Sequence, residues 1–195
     1  MNSFDSKPNL SRRRLLAHSA KVSLLAGSLA APAAWASALT APTYGPERKL
    51  RLINAHTWEK LDVVYWSNGY YKHEALQQIN YLMRDHRANK QIDIDKQLID
   101  DLYDIYSLLE TDERIMVLSG YRTPETNAKL RKRSSAVALK SLHMEGRAVD
   151  IQIRGYRAKT IRDAALKLRR GGVGYYATSG FVHLDTGEIR SWEQG

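Results

Sequence analysis

Two histidines and one aspartate are the residues of this chain best placed to do chemistry. His143 and Asp150 stand seven positions apart in Ser-Leu-His-Met-Glu-Gly-Arg-Ala-Val-Asp, which runs from Ser141 to Asp150. His183 follows in Gly-Phe-Val-His-Leu-Asp-Thr-Gly. A catalytic zinc site offers three protein ligands drawn from His and carboxylate and keeps a further position open for water or substrate. Two imidazoles and a carboxylate form such a set, so His143, Asp150 and His183 are the candidate ligands of a Zn2+ ion. Zinc held this way lowers the pKa of its water to about 7 and polarises an amide carbonyl, which is the chemistry of metal-assisted hydrolysis. A plainer reading stands beside this one. A histidine in a strand is commonly a hydrogen-bonded structural residue, and two His plus one Asp are easily found in 195 residues.

The backbone must bring the three together. Seven is an odd step, so on one uninterrupted strand His143 and Asp150 would face opposite ways. A turn has to intervene, and Gly146 is the natural pivot because glycine takes positive φ without steric cost. Ala148 to Ile153 then reads as a strand with Ala148, Asp150 and Gln152 on one face and Val149, Ile151 and Ile153 on the other. In the second segment Phe181, His183 and Asp185 share one side, with Val182 and Leu184 opposite. His183 and Asp185 are thus expected to point into the same space.

The remaining elements form a scaffold for these two strands. Leu50–Asn54 and Leu61–Trp66 read as strands of a hairpin whose loop carries His56 and Trp58, and Ser67-Asn68-Gly69 reads as a turn. Helices are expected over 74–88, with Ala75, Leu76, Ile79, Leu82 and Met83 inward, and over 95–109, with Leu98, Ile99, Leu102, Ile105, Tyr106 and Leu109 inward. The first closes on Arg84-Asp85-His86-Arg87, read as a solvated end. Arg114–Leu118 reads as a buried strand that delivers Ser119-Gly120-Tyr121-Arg122 to a cleft. Arg122 is a candidate for holding a substrate carboxylate or a developing oxyanion, since a guanidinium stays charged and donates in a fork; a surface salt bridge is the alternative. Thr123 is a plausible N-cap and Pro124 the first residue of a short helix. The basic run 131–136 reads as a mobile loop at the cleft rim. A third long helix is expected over 156–170, with Ile161, Ala164, Ala165 and Leu168 inward and Gly171-Gly172 ending it. Strands at 173–176 and 181–184, joined by 177–180, lead to Arg190-Ser191-Trp192. No internal repeat is visible, and His56, His73 and His86 suggest only ordinary surface or packing positions.

Ser119-Gly120-Tyr121-Arg122-Thr123, then Ser-x-His-x-x-Gly-Arg-Ala-x-Asp, then Gly-Val-Gly-Tyr-Tyr and Phe-Val-His-Leu-Asp-Thr-Gly together resemble the zinc D-Ala-D-Ala peptidase (hedgehog/DD-peptidase) superfamily, and within it the murein endopeptidases of the MepK type. The resemblance runs from about Arg51 to Trp192. It implies an α+β single domain, mainly antiparallel sheet with helices packed on one side, and His143, Asp150 and His183 as ligands of zinc. It also implies hydrolysis of peptide cross-links in peptidoglycan, including those joining two diaminopimelate residues. Ser119, Tyr121 and Tyr175 would then join Arg122 at the substrate. Tyr176 and Trp192 would line the same groove, although Tyr and Trp at these positions equally suit half-buried packing. One departure stands out. Many relatives carry an acid three residues before the last His ligand or a second His two before it, and here those positions hold Gly180 and Phe181. Asp185 is the first substitute as general base and Glu145 the second, while Asp185 serves equally well to orient His183 from behind. The same departure keeps a rival reading open, a noncatalytic peptidoglycan-binding module that retains the fold.

Residues 1–38 read as a twin-arginine-type signal peptide. Ser11-Arg12-Arg13-Arg14-Leu15-Leu16 precedes a moderately apolar run from Val22 to Trp35, and Ala36-Ser37-Ala38 supplies a small-x-small cleavage pattern. The run is too short and Ala-rich for a membrane span, which needs about 20 apolar residues. No stable membrane insertion is therefore expected after signal removal, and a periplasmic location follows from export by the twin-arginine machinery. Residues 39–49 read as a flexible lead-in and 50–195 as the peptidase domain. With no cysteine, the chain has neither disulfides nor a thiolate ligand. The net charge of +9 falls to +5 once the five basic residues and one acidic residue before position 39 are removed. A modest positive balance suits an anionic polymer. The expected partner is peptidoglycan and not nucleic acid, which export argues against.

Overall fold

The computed structural model describes residues 46–134 and 137–195. The expected signal peptide at 1–38 lies outside the described residues, as do two positions of the basic 131–136 run. The lead-in at 39–49 is described only from Pro46.

Eight strands form one sheet in the order β3-β2-β1-β4-β5-β7-β6-β8. They are β1 (Arg48–Asn54), β2 (Lys60–Ser67), β3 (Tyr70–Tyr71), β4 (Ile115–Ser119), β5 (Ala148–Ile153), β6 (Gly172–Tyr176), β7 (Phe181–Asp185) and β8 (Arg190–Gln194). The β1/β4 and β6/β8 pairs are parallel and the others antiparallel. Four α-helices accompany them: α1 (His73–Leu82), α2 (Lys96–Leu108), α3 (Pro124–Arg131) and α4 (Ala158–Leu168). The architecture is thus α+β with a mostly antiparallel sheet, as expected.

The core lies against one face of the sheet. Leu50, Leu52, Ile115, Val117, Val149, Ile151, Val182 and Leu184 are buried there together with Leu98, Ile99, Leu102 and Ile105 of α2 and Ile161, Ala164 and Ala165 of α4. Each large aliphatic side chain so buried contributes about 1.5–3 kcal/mol. These are the inward positions that helical and alternating periodicity select. On β5 and β7 the same alternation leaves Asp150 and His183 on the opposite face, where the cleft opens.

Two boundaries differ from the periodicity. The expected helix over 74–88 stops at Leu82 because its last carbonyls are taken by other segments: Asn54 Nδ2 donates to Leu82 O at 2.9 Å and Tyr121 N to Met83 O at 2.7 Å. The chain then folds back through paired backbone bonds between Asp85 and Lys90. The Arg84-Asp85-His86-Arg87 run is accordingly not a solvated end, since Arg84 and Asp85 are buried. The α4 helix ends on Arg169 in the left-handed region (φ 53°), two residues before the expected glycine stop.

Candidate metal centre and cleft

The two segments singled out by sequence converge. His143 sits in a one-turn 3-10 helix (Leu142–Glu145) that ends on Gly146 at φ +69°, the pivot the odd spacing requires. Past it, β5 brings Asp150 directly opposite His183 of β7 in the ladder. The facing atoms are His143 Nε2, Asp150 Oδ1 and His183 Nδ1. Their separations are 3.3 Å between the imidazoles, 3.4 Å from His143 to Asp150 and 2.8 Å from His183 to Asp150. Ligands about 2.0–2.2 Å from a tetrahedral ion stand a little over 3 Å apart, so the donor set fits a small divalent cation after slight spreading of the Asp150/His183 contact.

Each imidazole is held by its other nitrogen. His143 Nδ1 donates to the Gly120 carbonyl at 2.7 Å, and His183 Nε2 donates to Asp185 Oδ2 at 3.0 Å. Such outer partners fix the ring orientation and leave the facing nitrogen for the metal. Gly120 must be small for this, because a Cβ there would lie 2.4 Å from the Met83 carbonyl oxygen.

Electrostatics agree with a cation-binding pocket. Burial opposes the charged Asp150 carboxylate, but the two imidazoles outweigh it and hold the carboxyl well below its usual range. Burial pushes His143 down, with Asp150 opposing. Burial also pulls on His183, but hydrogen bonds to Asp150 and Asp185 override it and push that imidazole up to about 9.

The three groups open into a cleft of about 600 Å³, which Arg122, Tyr176, Phe181 and Trp192 also line. Arg122 comes in on the loop after β4. Its backbone N–H donates to the His143 carbonyl at 3.0 Å, and among the described residues its side chain donates to Ser141 Oγ alone, at 3.5 Å. Among the described residues the guanidinium Nε is buried without a partner, which leaves donors for a ligand. Burial lowers its pKa, with Asp150 opposing. The loop is anchored by Asp85, which accepts from Thr123 N at 2.9 Å and Thr123 Oγ1 at 2.8 Å.

The other expected site residues are already engaged or lie outside the cleft lining. Asp185 borders the cleft, but five donors occupy its carboxylate: His183, Arg190 at 3.0 and 2.7 Å, and the backbone N–H groups of Gly172 and Gly187. It is placed to orient His183, and it has no lone pair left for a water. Glu145 is exposed, pairs with Arg147 at 3.2 Å and does not line the cleft. Ser119 pairs with Asp150 across the β4/β5 ladder, but with Tyr121 it borders a separate small crevice that Arg122 also lines, and Tyr121 packs on the core. Tyr175 projects from the helix-covered face, where the Arg162 guanidinium lies 4.8 Å from its ring centre. The cleft tyrosine is its neighbour Tyr176, paired with Phe181 across the β6/β7 ladder. Arg190 and Asp85 carried no sequence signal, because their partners are distant in the chain or on another strand.

The family model described as "Peptidoglycan L,D-endopeptidase MepK" matches residues 43–192. The protein named "Peptidoglycan L,D-endopeptidase MepK" in Escherichia coli (strain K12) is 43% identical over 192 residues, covering 98% of this chain and 100% of that protein. A Haemophilus influenzae protein named "Probable peptidoglycan L,D-endopeptidase MepK" is 38% identical over 147 residues, 75% of this chain and 79% of its own length. With the superfamily's fold, its ordered motifs and a converged His, Asp, His set all present, the chain belongs to the MepK family of peptidases.

Proposed function

We propose that this chain is a zinc-dependent murein endopeptidase that hydrolyses peptide cross-links of peptidoglycan in the periplasm and so takes part in cell-wall remodelling. The observation that carries this reading is the convergence of His143, Asp150 and His183 at the floor of a cleft lined by an underpartnered arginine. The names of the relatives point to an L,D peptide bond as the one cut. Arrival in the periplasm by the twin-arginine route rests on the motif at Arg12-Arg13. No helix among the described residues is long and apolar enough to cross a membrane.

His143, Asp150 and His183 are the residues that would hold the zinc, which supplies an activated water and a Lewis acid toward the amide carbonyl. The chain's own groups do the rest. Gly120 and Asp185 hold the two imidazoles so that His143 Nε2 and His183 Nδ1 face Asp150. Arg122 offers charged N–H donors to a stem-peptide carboxylate or to the oxyanion that forms as water adds, where fixed donors are most effective. The Asp150 carboxyl, held below its usual range by the imidazoles, would offer the cation a negative charge.

Among the described residues, Asp150 and Asp185 are the carboxylate side chains that line the cleft, and both are engaged. This favours, as a second reading, a noncatalytic peptidoglycan-binding module. One experiment separates the two. Mature protein is incubated with muropeptide dimers with zinc or with a chelator, alongside His183→Ala. Zinc-dependent loss of dimer that chelation and the substitution abolish supports the peptidase. Binding of dimers without cleavage in the presence of zinc supports the module, and cleavage that survives chelation overturns the zinc mechanism.

A further inference from the structure

One wall of the cleft is built around a single phenol. Tyr176 stands at the end of β6 with its ring stacked on Phe181, 4.3 Å between centres and 12° between planes. The Trp192 indole donates Nε1–H to Tyr176 Oη at 3.3 Å. That bond uses an acceptor lone pair of the phenol, and among the described residues nothing accepts the phenol's own O–H. Trp192 is in turn fixed. It pairs with Gly174 across the β6/β8 ladder, and its ring fills the space a side chain at Gly174 would need, since a Cβ there would lie 2.5 Å from the indole. The same indole lies 5.3 Å from the His183 ring centre.

The stack on Phe181 and the bond from Trp192 therefore hold one phenol in the wall of the cleft that His143, Asp150 and His183 also line. Phe181 is the partner of Tyr176 in the ladder, and both line the cleft. Resting on the endopeptidase reading, we propose that Tyr176 is a catalytic residue whose O–H donates a hydrogen bond to the oxyanion formed as water adds to the scissile carbonyl, with Trp192 as its positioning residue. The contribution is a hydrogen bond made in the transition state, and no proton changes owner at Tyr176.

The test uses zinc-loaded mature protein, a muropeptide dimer as substrate, and a phosphinate pseudopeptide as mimic of the tetrahedral species. Tyr176→Phe keeps the ring stack and deletes only the oxygen. Loss of one oxyanion donor lowers kcat by about 10²-fold, so kcat is expected to fall by about that factor with KM within about twofold. Phosphinate affinity measured by calorimetry should fall in step with kcat, and zinc content should stay unchanged. Trp192→Phe, which keeps the phenol and removes its orienting donor, should give a smaller kcat loss at constant KM, and it carries the test if Tyr176→Phe fails to load zinc. Unchanged kcat in the zinc-loaded variant, or equal weakening of substrate and phosphinate, overturns the assignment. A parent protein that cuts no dimer overturns the endopeptidase reading and this assignment with it, whereas a parent and a Tyr176→Phe variant that cut equally fast overturn this assignment alone.

Discussion

Asp185 holds His183 from behind, its Oδ2 3.0 Å from the ring Nε2, and is itself gripped by Arg190 through both carboxylate oxygens. An acid arranged this way tunes a ligand and is not free to accept a proton from water. Asp185→Asn should weaken zinc binding by about 10–100-fold, and Arg190→Ala should do the same to a smaller degree. Zinc competition titrations check this. Full zinc affinity with lost turnover in Asp185→Asn would return the base role to Asp185.

The raised His183 imidazole makes metal loading depend on pH. In the metal-free protein the group is protonated below about 9, and a ligand nitrogen must be deprotonated to coordinate. Zinc should therefore displace about one proton, and its apparent affinity should fall roughly tenfold per pH unit as pH drops below that value. Calorimetry in buffers of different ionisation enthalpy at pH 7 measures the proton count directly. A count of zero would show that the ring is already neutral.

The Gly120 carbonyl that orients His143 lies where the chain passes hard against Met83. Gly120→Ala places a Cβ against the Met83 carbonyl oxygen, 2.4 Å away in the present backbone. Overpacking of this kind costs about 1–3 kcal/mol, and the shift should also loosen the bond to His143. Both a lower urea midpoint and weaker zinc retention on dialysis are expected. A variant with parent-like stability would mean that the loop yields freely.

Asp85 ties the arginine loop to the body of the fold. Burial opposes its charge, but donors from Thr126, Thr123 and Ala88 win, so its pKa lies below 3.8 in the folded chain. A depressed carboxyl contributes stability that is complete above its unfolded pKa of about 3.9 and disappears as pH falls through the folded value. Asp85→Asn should cost about 1–3 kcal/mol near neutral pH, and the gap between variant and parent should narrow as pH falls through the depressed folded value. Urea midpoints from pH 7 to 2.5 measure this; a gap that stays constant with pH would remove the carboxylate's charge from the explanation.

The parts of the site that follow from local geometry were legible in the sequence. The odd step from His143 to Asp150 demands a bend, Gly146 can supply it, and alternation along 148–153 and 181–185 puts Asp150 and His183 on the same class of face. Less visible were features set by pairing between segments. Tyr175 and Tyr176 are alike as letters, and only the closing pair of the hairpin, Tyr176 with Phe181, decides which one reaches the cleft. The four-residue connection 177–180 held that information, since it places Tyr176 opposite Phe181 and hence on the His183 face. Asp85 looked solvated because its neighbours are charged, and its burial depends on Thr123, 38 positions away. Arg190 reads as one more surface cation until β8 brings it to Asp185.

Asp150 and His183 face one another across a single rung of the β5/β7 ladder, and Gly174 and Trp192 continue that rung to the sheet edge. The spacing between these side chains is thus inherited from interstrand hydrogen bonding, which is nearly invariant from one protein to another. Insertions or exchanges in the surrounding connections can reshape what is admitted to the cleft while the His143, Asp150, His183 set keeps its dimensions. A one-residue slip of β7 would instead carry His183 through to the other side and dismantle the centre at a stroke.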